Sequence, residues 1–278
     1  MTGCCRPETL EDALSILSRQ GAQVLAGGTD WMVKHGQQGP HGGPVLYIAE
    51  LAELRQIAVH GGEIHIGAAC TLTELLESPL VPDCLKQPLA QMASPAIRNI
   101  ATIGGNLCNA SPAADALPML SAMDAMLSLR SHKAEERLPA EDFLLAPGKP
   151  RLAQGQLLVE IHVPLSPKWD CVYRKVGLRR ANSLSKVSFC ALSDKKAGYV
   201  QDVRIAFGAV APRVVRSREA EKRILSSGHP LTDDQIQAIA AEYGKLLKPI
   251  DDARSSRAYR REVSLRLLKW YLREGMNA

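Results

Sequence analysis

Residues 98–118, RNIATIGGNLCNASPAADALP, decide how this chain folds. They combine the glycine pair at 104–105 with a row of small polar side chains. Paired glycines lack Cβ and allow positive φ, so consecutive backbone N–H groups can face one anion. A second pair lies upstream in LAGGTD, residues 25–30, also after a short apolar stretch. Together the two segments predict a pair of loops that holds a diphosphate from both sides.

Other familiar sites are missing from the sequence. There is no GxGxxG and no GxxxxGK[ST], which argues against a Rossmann cofactor site and a P-loop. The seven histidines show no HxxxH or HxH spacing, and the seven cysteines form no CxxC pair, so we predict no metal site and no disulfide framework. No Ser/His/Asp or Cys/His arrangement indicates a catalytic nucleophile. We therefore assign no catalytic residue.

Composition places the chain among globular proteins. It has 278 residues, of which 46% are hydrophobic and 23% are charged. No apolar run approaches the ~18–20 residues of a membrane helix, and the first residues do not resemble a secretory signal. An odd number of cysteines without paired spacing is typical of free thiols in a reducing compartment. These features predict a cytoplasmic protein that does not contact a membrane.

Charge is divided unevenly along the chain. Residues 1–167 carry a net charge of −6 and residues 168–278 carry +11, which gives the overall +5. A basic half can bind nucleic acid or an acidic partner, or it can be an ordinary solvated surface. No recognised RNA or DNA motif accompanies it. We therefore interpret it as docking or solvent surface and expect no nucleic-acid partner.

The pattern of elements divides the chain into three parts and predicts an α+β protein. Residues 1–55 read as a small α/β unit, in which Thr9 caps a helix that ends at Gly21. Residues 56–167 open with a hairpin and form a second α/β unit. Residues 168–278 place strands before helices, and their strand at 200–209 alternates as if one face were wet. The predicted elements are helices at 10–20, 71–77, 82–93, 115–124, 217–226, 232–247 and 255–273, and strands at 23–26, 45–49, 57–59, 64–66, 125–130, 157–163, 171–176, 186–192 and 200–209.

The sequence resembles a known family, the FAD-binding medium subunits of molybdenum hydroxylases. This family includes the flavin components of xanthine and carbon monoxide dehydrogenases. The combination TIGGN…SPAxD…LP is the most specific match. The motifs follow the family's order and cover nearly the whole chain: AGGTD at 26–30, RNIATIGGNLCNASPAADALP at 98–118, LLVEIHVP at 157–164, YRKVGLRRANSLSKV at 173–187, FGAVAPRVVRSREAE at 207–221 and PIDDARSSRAYRREV at 249–263. The resemblance implies two α/β subdomains that form a PCMH-type FAD-binding domain, followed by a C-terminal subdomain of antiparallel strands and helices.

The resemblance also implies site residues for non-covalent FAD. The first diphosphate loop would be Ala26, Gly27, Gly28, Thr29 and Asp30, and the second would be Thr102, Gly104, Gly105 and Asn106. Asn109, Ser111 and Asp115 would lie at the sugar and phosphate portions, Leu158 near the adenine and Lys175 near the flavin ring. From the residues alone, Asp115 could equally cap the helix that follows it, and Lys175 could be a surface lysine. Met92 stands where some relatives have an aromatic residue, which leaves Trp31 and Tyr173 as candidate ring contacts.

The implied activity is electron transfer. In this family a large subunit carries the molybdenum cofactor and a small subunit carries two [2Fe–2S] clusters, which deliver electrons to the FAD. The acceptor is then NAD⁺, oxygen or another molecule. Because this chain lacks cluster cysteines, the resemblance implies the flavin subunit of a multi-chain oxidoreductase. The alternative is a self-sufficient FAD-dependent oxidoreductase on the same fold.

Overall fold

The computed structural model describes residues 3–36, 43–165, 169–179, 182–196 and 199–276. The helices are α1 Leu10–Gln20, α2 Thr29–His35, α3 Leu72–Glu77, α4 Asp83–Ala90, α5 Pro95–Arg98, α6 Ile103–Cys108, α7 Ala116–Ala122, α8 Arg218–Ser226, α9 Asp233–Leu246 and α10 Arg257–Trp270. The strands are β1 Cys4–Cys5, β2 Gln23–Leu25, β3 Val45–Tyr47, β4 Ile57–His60, β5 Glu63–Gly67, β6 Met126–Arg130, β7 Glu135–Pro139, β8 Leu144–Ala146, β9 Lys149–Pro150, β10 Leu157–Pro164, β11 Asp170–Val176, β12 Val187–Lys196, β13 Tyr199–Gly208 and β14 Val215–Arg216.

The first unit is a three-stranded parallel sheet in the order β1-β3-β2, packed against α1. Thr9 accepts a hydrogen bond from the backbone N–H of Asp12, and Gly21 ends α1 with φ 58°. The buried residues of α1 recur at helical spacing and form its core face: Leu10, Ala13, Leu14 and Leu17. The predicted first helix and its two caps are confirmed.

The middle unit is a five-stranded antiparallel sheet in the order β4-β5-β10-β6-β7. Its central strand β10 directs Ile161 and Val163 into the core that α3, α4, α6 and α7 cover. At the start of β10, Leu157 and Val159 pack into the core of the first unit instead. Strand β10 therefore joins the first and middle units, and the cavity described below opens beside this junction.

The third unit is a four-stranded antiparallel sheet, β11-β12-β13-β14, with α8, α9 and α10 packed on one face. The prediction that its other face is wet is wrong at the end of β13. Ala206 is fully buried there, together with Cys190 and Leu192 of β12, in the core of the middle unit. Helix α7 lies against both strands and covers this face. The alternation of buried and exposed side chains in β13 stops where α7 covers the second face of the sheet.

Several short elements were not predicted from the sequence. Helix α2 follows directly on the first glycine pair, α5 precedes the second pair, and α6 contains it. The strands that were not predicted are β1, β7, β8, β9 and β14, of which β7 adds an edge strand to the middle sheet. The largest correction concerns the second glycine segment, which was predicted to be a loop. Thr102 is the N-cap of α6, and Gly104 and Gly105 lie inside that helix.

Ion pairs link the third unit to the middle unit. The buried Arg216 guanidinium of β14 lies 2.6 Å from Asp124, which follows α7, and Arg204 and Arg218 contact the same carboxylate. The interpretation of the basic half as docking or solvent surface is therefore wrong for the buried Arg216 and does not account for the ion pairs that Arg204 and the half-exposed Arg218 make within the molecule. Within the described ranges, no helix combines the length and the apolar character that crossing a bilayer requires.

Candidate functional site

A cavity of about 670 Å³ opens where the three units meet. That volume lies in the range of sites that enclose small molecules and cofactors. All fourteen residues that the resemblance implies for FAD line this one cavity: Ala26, Gly27, Gly28, Thr29, Asp30, Thr102, Gly104, Gly105, Asn106, Asn109, Ser111, Asp115, Leu158 and Lys175. They come from four separate segments of the sequence, 26–30, 102–115, 158 and 175, so the fold itself brings them together.

The first glycine segment forms the turn between β2 and α2. A Cβ added to Gly27 would lie 1.8 Å from the carbonyl oxygen of Ile100, so the backbones of the two glycine segments are in contact here. Gly28 has φ 74°, which L side chains rarely adopt. Among the described residues, none accepts a hydrogen bond from the backbone N–H of Gly27, Gly28, Thr29 or Asp30. Unpaired N–H groups at a helix start attract an anion.

The second segment contributes in another way than expected. Its backbone N–H groups are already bonded inside the protein: Gly104 donates to Ala68 O, Gly105 to Thr102 Oγ1 and Asn106 to Thr102 O, at 2.9–3.0 Å. The prediction that both glycine segments present free N–H groups is therefore wrong for this one. What the exposed Gly105 provides is a stretch of helix surface without a side chain, on which a ligand can approach the backbone closely, whereas the buried Gly104 lets α6 pack on Ala68.

Two polar side-chain atoms on the cavity wall are buried and have no hydrogen-bond partner among the residues that the structure describes. They are Oδ1 of Asn106, an acceptor, and Nε1 of Trp31, a donor. A buried polar atom without a partner costs about 1–3 kcal/mol, so such atoms indicate a missing ligand or water. A ligand with both hydroxyl donors and oxygen acceptors would satisfy this pair, and FAD carries both kinds of group.

Beside the first segment, Asn109, the residue that follows α6, is hydrogen-bonded to two side chains of α2. Its amide nitrogen donates to Asp30 Oδ2 at 3.1 Å, and its amide oxygen accepts from Lys34 Nζ. Asn109 thus holds the first turn of α2 in place and brings a lysine to the cavity rim. Lys34 also lines the cavity, and sequence reasoning missed it.

At another part of the wall, Asp115 and Lys175 form a buried ion pair with a 2.7 Å separation, each side chain 7% exposed. Asp115 also accepts hydrogen bonds from Tyr173 Oη at 2.7 Å and from Ser185 Oγ. Lys175 donates in addition to Gln91 O at 3.0 Å. Asp115 stands at the N-cap position of α7, as the residue-based alternative had it, but its side chain makes no capping hydrogen bond there. The alternative for Lys175, a surface lysine, is wrong, because its side chain is 7% exposed.

Of the aromatic candidates, the indole of Trp31 lines the cavity, whereas Tyr173 does not. Tyr173 is buried behind Asp115, and burial raises the pKa of its hydroxyl well above the usual 10, with the Asp115 charge adding to the effect. Met92 lines the cavity as a buried apolar side chain. Further wall residues that sequence reasoning missed are Ile97, Leu152, Gln156 and Ser183. Leu152 and Gln156 lie in a segment between strands, Ile97 lies in α5, and Ser183 lies in the quoted motif at 173–187, where the resemblance gave it no role.

A second group of polar side chains lies away from this cavity, on the middle sheet. Ligand-type atoms of Glu63, His65 and His162 lie within 4.8 Å of one another. The histidine spacing test missed this group because its members come from different strands. A signal was present: EIH occurs at 63–65 and again at 160–162.

This chain resembles known proteins in both sequence and structure. Residues 1–166 match the FAD-binding domain of molybdopterin dehydrogenases, and residues 172–274 match the C-terminal domain of carbon monoxide dehydrogenase flavoproteins. These two domains confirm the predicted α+β fold class, with an FAD-binding domain followed by a C-terminal one.

Individual relatives agree with the domain matches. The xanthine dehydrogenase FAD-binding subunit of Escherichia coli O157:H7 is 30% identical over 280 residues, which are 98% of this chain and 95% of that protein. The glyceraldehyde dehydrogenase medium chain of Sulfolobus acidocaldarius is 32% identical over 266 residues, 93% of this chain and 92% of that one.

A solved structure matches as well. A chain of the carbon monoxide dehydrogenase of Hydrogenophaga pseudoflava, in a form that lacks the Mo-pyranopterin moiety of the molybdenum cofactor, superposes with a TM-score of 0.89 at 26% identity. The match covers 96% of this chain and 94% of that chain. This chain therefore belongs to the molybdenum hydroxylase family of oxidoreductases, as one of its FAD-binding medium subunits.

Proposed function

We propose that this chain holds FAD non-covalently in the cavity and passes electrons through it within a multi-subunit molybdenum hydroxylase. In that assembly a small subunit supplies electrons from [2Fe–2S] clusters, a large subunit carries the molybdenum cofactor, and NAD⁺ or another acceptor takes the electrons away. The observation that carries the proposal is the convergence of fourteen family-matched residues on one cavity with unpaired polar atoms in its wall.

Each part of the wall suits one portion of the cofactor. The unpaired N–H groups at 27–30 would bind the diphosphate, with the bare surface of α6 on its other side. Asn106 Oδ1 would accept a hydrogen bond from a sugar hydroxyl, and apolar Leu158 would contact the adenine. Bound FAD supplies the ability to accept and release electrons, and the Lys175 cation would stabilise the negative charge that the ring gains on reduction.

Hydrogen bonds within the chain hold Lys175 in place where the flavin ring would lie. Tyr173 and Ser185 donate to Asp115 and fix its carboxylate, which in turn holds the Lys175 ammonium against the cavity wall. Because each side chain is 7% exposed, solvent screens this ion pair less than it would an exposed pair. Asp115 is then a positioning residue for Lys175, in addition to the sugar contact that the resemblance implies.

The three-part division at 55/56 and 167/168 and the cytoplasmic location remain predictions. Each proposed part supplies the strands of one main sheet, which supports the division. All seven cysteines are free thiols, which supports a reducing compartment.

The test is FAD reconstitution of the purified chain, followed by flavin absorbance and a thermal shift. Gly28→Val should lower FAD affinity at least ~100-fold, about 2.7 kcal/mol, because the side chain would force the turn out of φ 74° and disturb the N–H groups. Gly228→Val is the matched control: Gly228 also has φ 74° but is remote from the cavity.

Both variants should lose similar stability in the absence of FAD, and only Gly28→Val should lose binding. Wild-type protein that is folded yet shows neither flavin absorbance nor a thermal shift would contradict the proposal. Equal FAD affinity for Gly28→Val and Gly228→Val would contradict the assignment of the first segment. Co-purification of molybdenum- and iron–sulfur-containing chains with this one tests the assembly.

A further inference from the structure

The outer face of the middle sheet carries two matching triplets that the FAD site does not use. Glu63-Ile64-His65 lies on β5 and Glu160-Ile161-His162 on its neighbour β10. Side chains alternate along a strand, so the isoleucines enter the core while each Glu and His share the other face. The antiparallel register pairs His65 directly with His162. Two imidazoles and two carboxylates are thereby collected in one place.

The atoms of this cluster are close enough to share one ion. His65 Nε2 lies 4.0 Å from Glu63 Oε2, and His65 Nδ1 lies 3.2 Å from Glu160 Oε2. One ligand-type atom from each of Glu63, His65 and His162 falls within a 4.8 Å span. His162 is completely buried, and its Nδ1 has no hydrogen-bond partner in the part of the chain that the structure describes. Its Nε2 contacts Ser128 Oγ at 2.7 Å and Glu160 at 3.2 Å.

We propose that Glu63, His65 and His162 bind a divalent transition-metal ion of the zinc class, with Glu160 holding the His65 ring in the orientation that this requires. Zn–N and Zn–O bonds of about 2.0–2.2 Å make a tetrahedral ligand–ligand separation of about 3.4 Å. The observed 4.0 Å between His65 Nε2 and Glu63 Oε2 therefore needs a closure of about 0.6 Å, and a separation at the 4.8 Å limit of the cluster needs about 1.4 Å. The half-exposed Glu63 side chain is free to make it.

The contact between His65 Nδ1 and Glu160 has the geometry expected behind a metal-binding imidazole. A carboxylate that accepts the N–H of one ring nitrogen fixes the tautomer and leaves the other nitrogen bare for the metal. In His65 that other nitrogen is Nε2, the one that faces Glu63. The buried His162 also offers a rigid ring that packing has already ordered, so little side-chain entropy is lost on binding.

The donor set decides which class of ion binds. Two imidazole nitrogens and a carboxylate suit Zn²⁺, Ni²⁺, Co²⁺ or Cu²⁺, whereas Mg²⁺ and Ca²⁺ prefer oxygen donors throughout. The Glu63 and His65 side chains are 34% and 19% exposed, so an ion can reach the cluster from solvent. The same opening allows a water molecule to take the fourth position. The chemical class of ligand is thus a borderline transition-metal dication in a three-residue site.

The experiment uses the full chain without a polyhistidine tag, loaded with FAD, stripped with EDTA and titrated with ZnCl₂ by calorimetry. We expect one Zn²⁺ per chain. His65→Ala should weaken the association constant at least ~100-fold, and Glu160→Gln should weaken it ~10–100-fold because it removes the orienting carboxylate. Co²⁺ should give the intense visible absorption of a four-coordinate ion in wild type and lose it in His65→Ala.

The matched control is His132→Ala. His132 also pairs with a glutamate, Glu11, at 2.6 Å, but it is exposed and outside the cluster. This variant should bind Zn²⁺ and Co²⁺ as wild type does. FAD content and circular dichroism confirm that each variant is folded. Wild-type binding no tighter than that of His65→Ala, or an equal loss in His132→Ala, overturns the proposal, and neither result depends on the electron-transfer function.

Discussion

At the residue scale, Asp115 shows how the fold makes a buried carboxylate tolerable. Removal of an ionised carboxylate from water is costly unless charge and hydrogen bonds compensate it. Here a lysine, a tyrosine and a serine all donate to the two oxygens, and the lysine stands on the strand that also supplies the tyrosine. Because every donor comes from the third unit and the acceptor from the middle one, the network also fastens the two units together beside the cavity.

Removal of one donor tests this network. Tyr173→Phe should lower the free energy of unfolding by about 1–2 kcal/mol, since the hydrogen bond at 2.7 Å is lost while the ring packing stays. Urea unfolding of the FAD-free chain measures the change. Tyr199→Phe is the matched control, because Tyr199 is 67% exposed and should be neutral. A Tyr173→Phe variant as stable as wild type would show that the hydroxyl contributes nothing to the ion pair.

Site residues could be predicted from the sequence where neighbouring residues form a recognisable motif. The glycine pairs and the polar residues that follow them could be identified because their types are unusual in regular elements. The cluster at His65 and His162 could not, since it exists only once β5 and β10 pair in one register. Spacing along the chain carries no information about partners 97 positions apart. The unpaired nitrogen of Trp31 is likewise a property of packing alone.

At the element scale, the caps explain which helices could be predicted. Three helices have a threonine as N-cap: Thr9 for α1, Thr71 for α3 and Thr232 for α9. In each, the threonine hydroxyl accepts a hydrogen bond from the backbone N–H of the residue three positions later. α6 begins with Thr102 in the same way, yet its second and third residues are glycines, which disfavour a helix by up to ~1 kcal/mol each. Tertiary contact overrides that preference, because α6 must lie directly on the backbone of Ala68.

Gly104 is the residue that permits this contact. A Cβ there would lie 2.6 Å from Ala68 O and 2.7 Å from Ala68 Cβ, so Gly104→Ala should destabilise the chain by about 1–3 kcal/mol despite the better helix propensity of alanine. Thermal unfolding without FAD measures the change. Gly3→Ala, where an added Cβ meets nothing within 4 Å, should leave stability nearly unchanged. Stabilisation by Gly104→Ala would mean that α6 and Ala68 are not packed as described.

At the scale of the whole molecule, the third unit is part of one packed body with the middle unit rather than an appendage. The core of the middle unit includes buried residues of β11, β12 and β13, and α7 is the helix that both units share. The change of net charge along the chain therefore indicated the boundary between the middle and third units. It did not indicate that part of the basic charge pairs with the acidic half across that boundary. Three arginines of the basic half meet Asp124 at the joint, and their partner lies in the acidic half.

The contact between the middle and third units at Asp124 should weaken in acid. Burial alone would raise the pKa of this carboxyl, but the charge and hydrogen bond of Arg216, with further contributions from Arg204 and Arg218, hold it below the usual value. A carboxyl whose pKa is lower in the folded state adds stability above its unfolded pKa of about 4, and this stability is lost as pH falls through the folded pKa. Asp124→Asn, which tolerates the same backbone at φ 53°, should therefore be less stable than wild type at pH 7.

That difference should shrink steadily in urea unfolding at pH 5, 4 and 3, because wild-type Asp124 becomes protonated and the variant does not change. Asp142→Asn serves as the control: Asp142 is exposed and forms no ion pair with any residue that the structure describes, so this variant should follow wild type at every pH. A gap between Asp124→Asn and wild type that stays constant down to pH 3 would mean that the three arginines do not lower the pKa of Asp124.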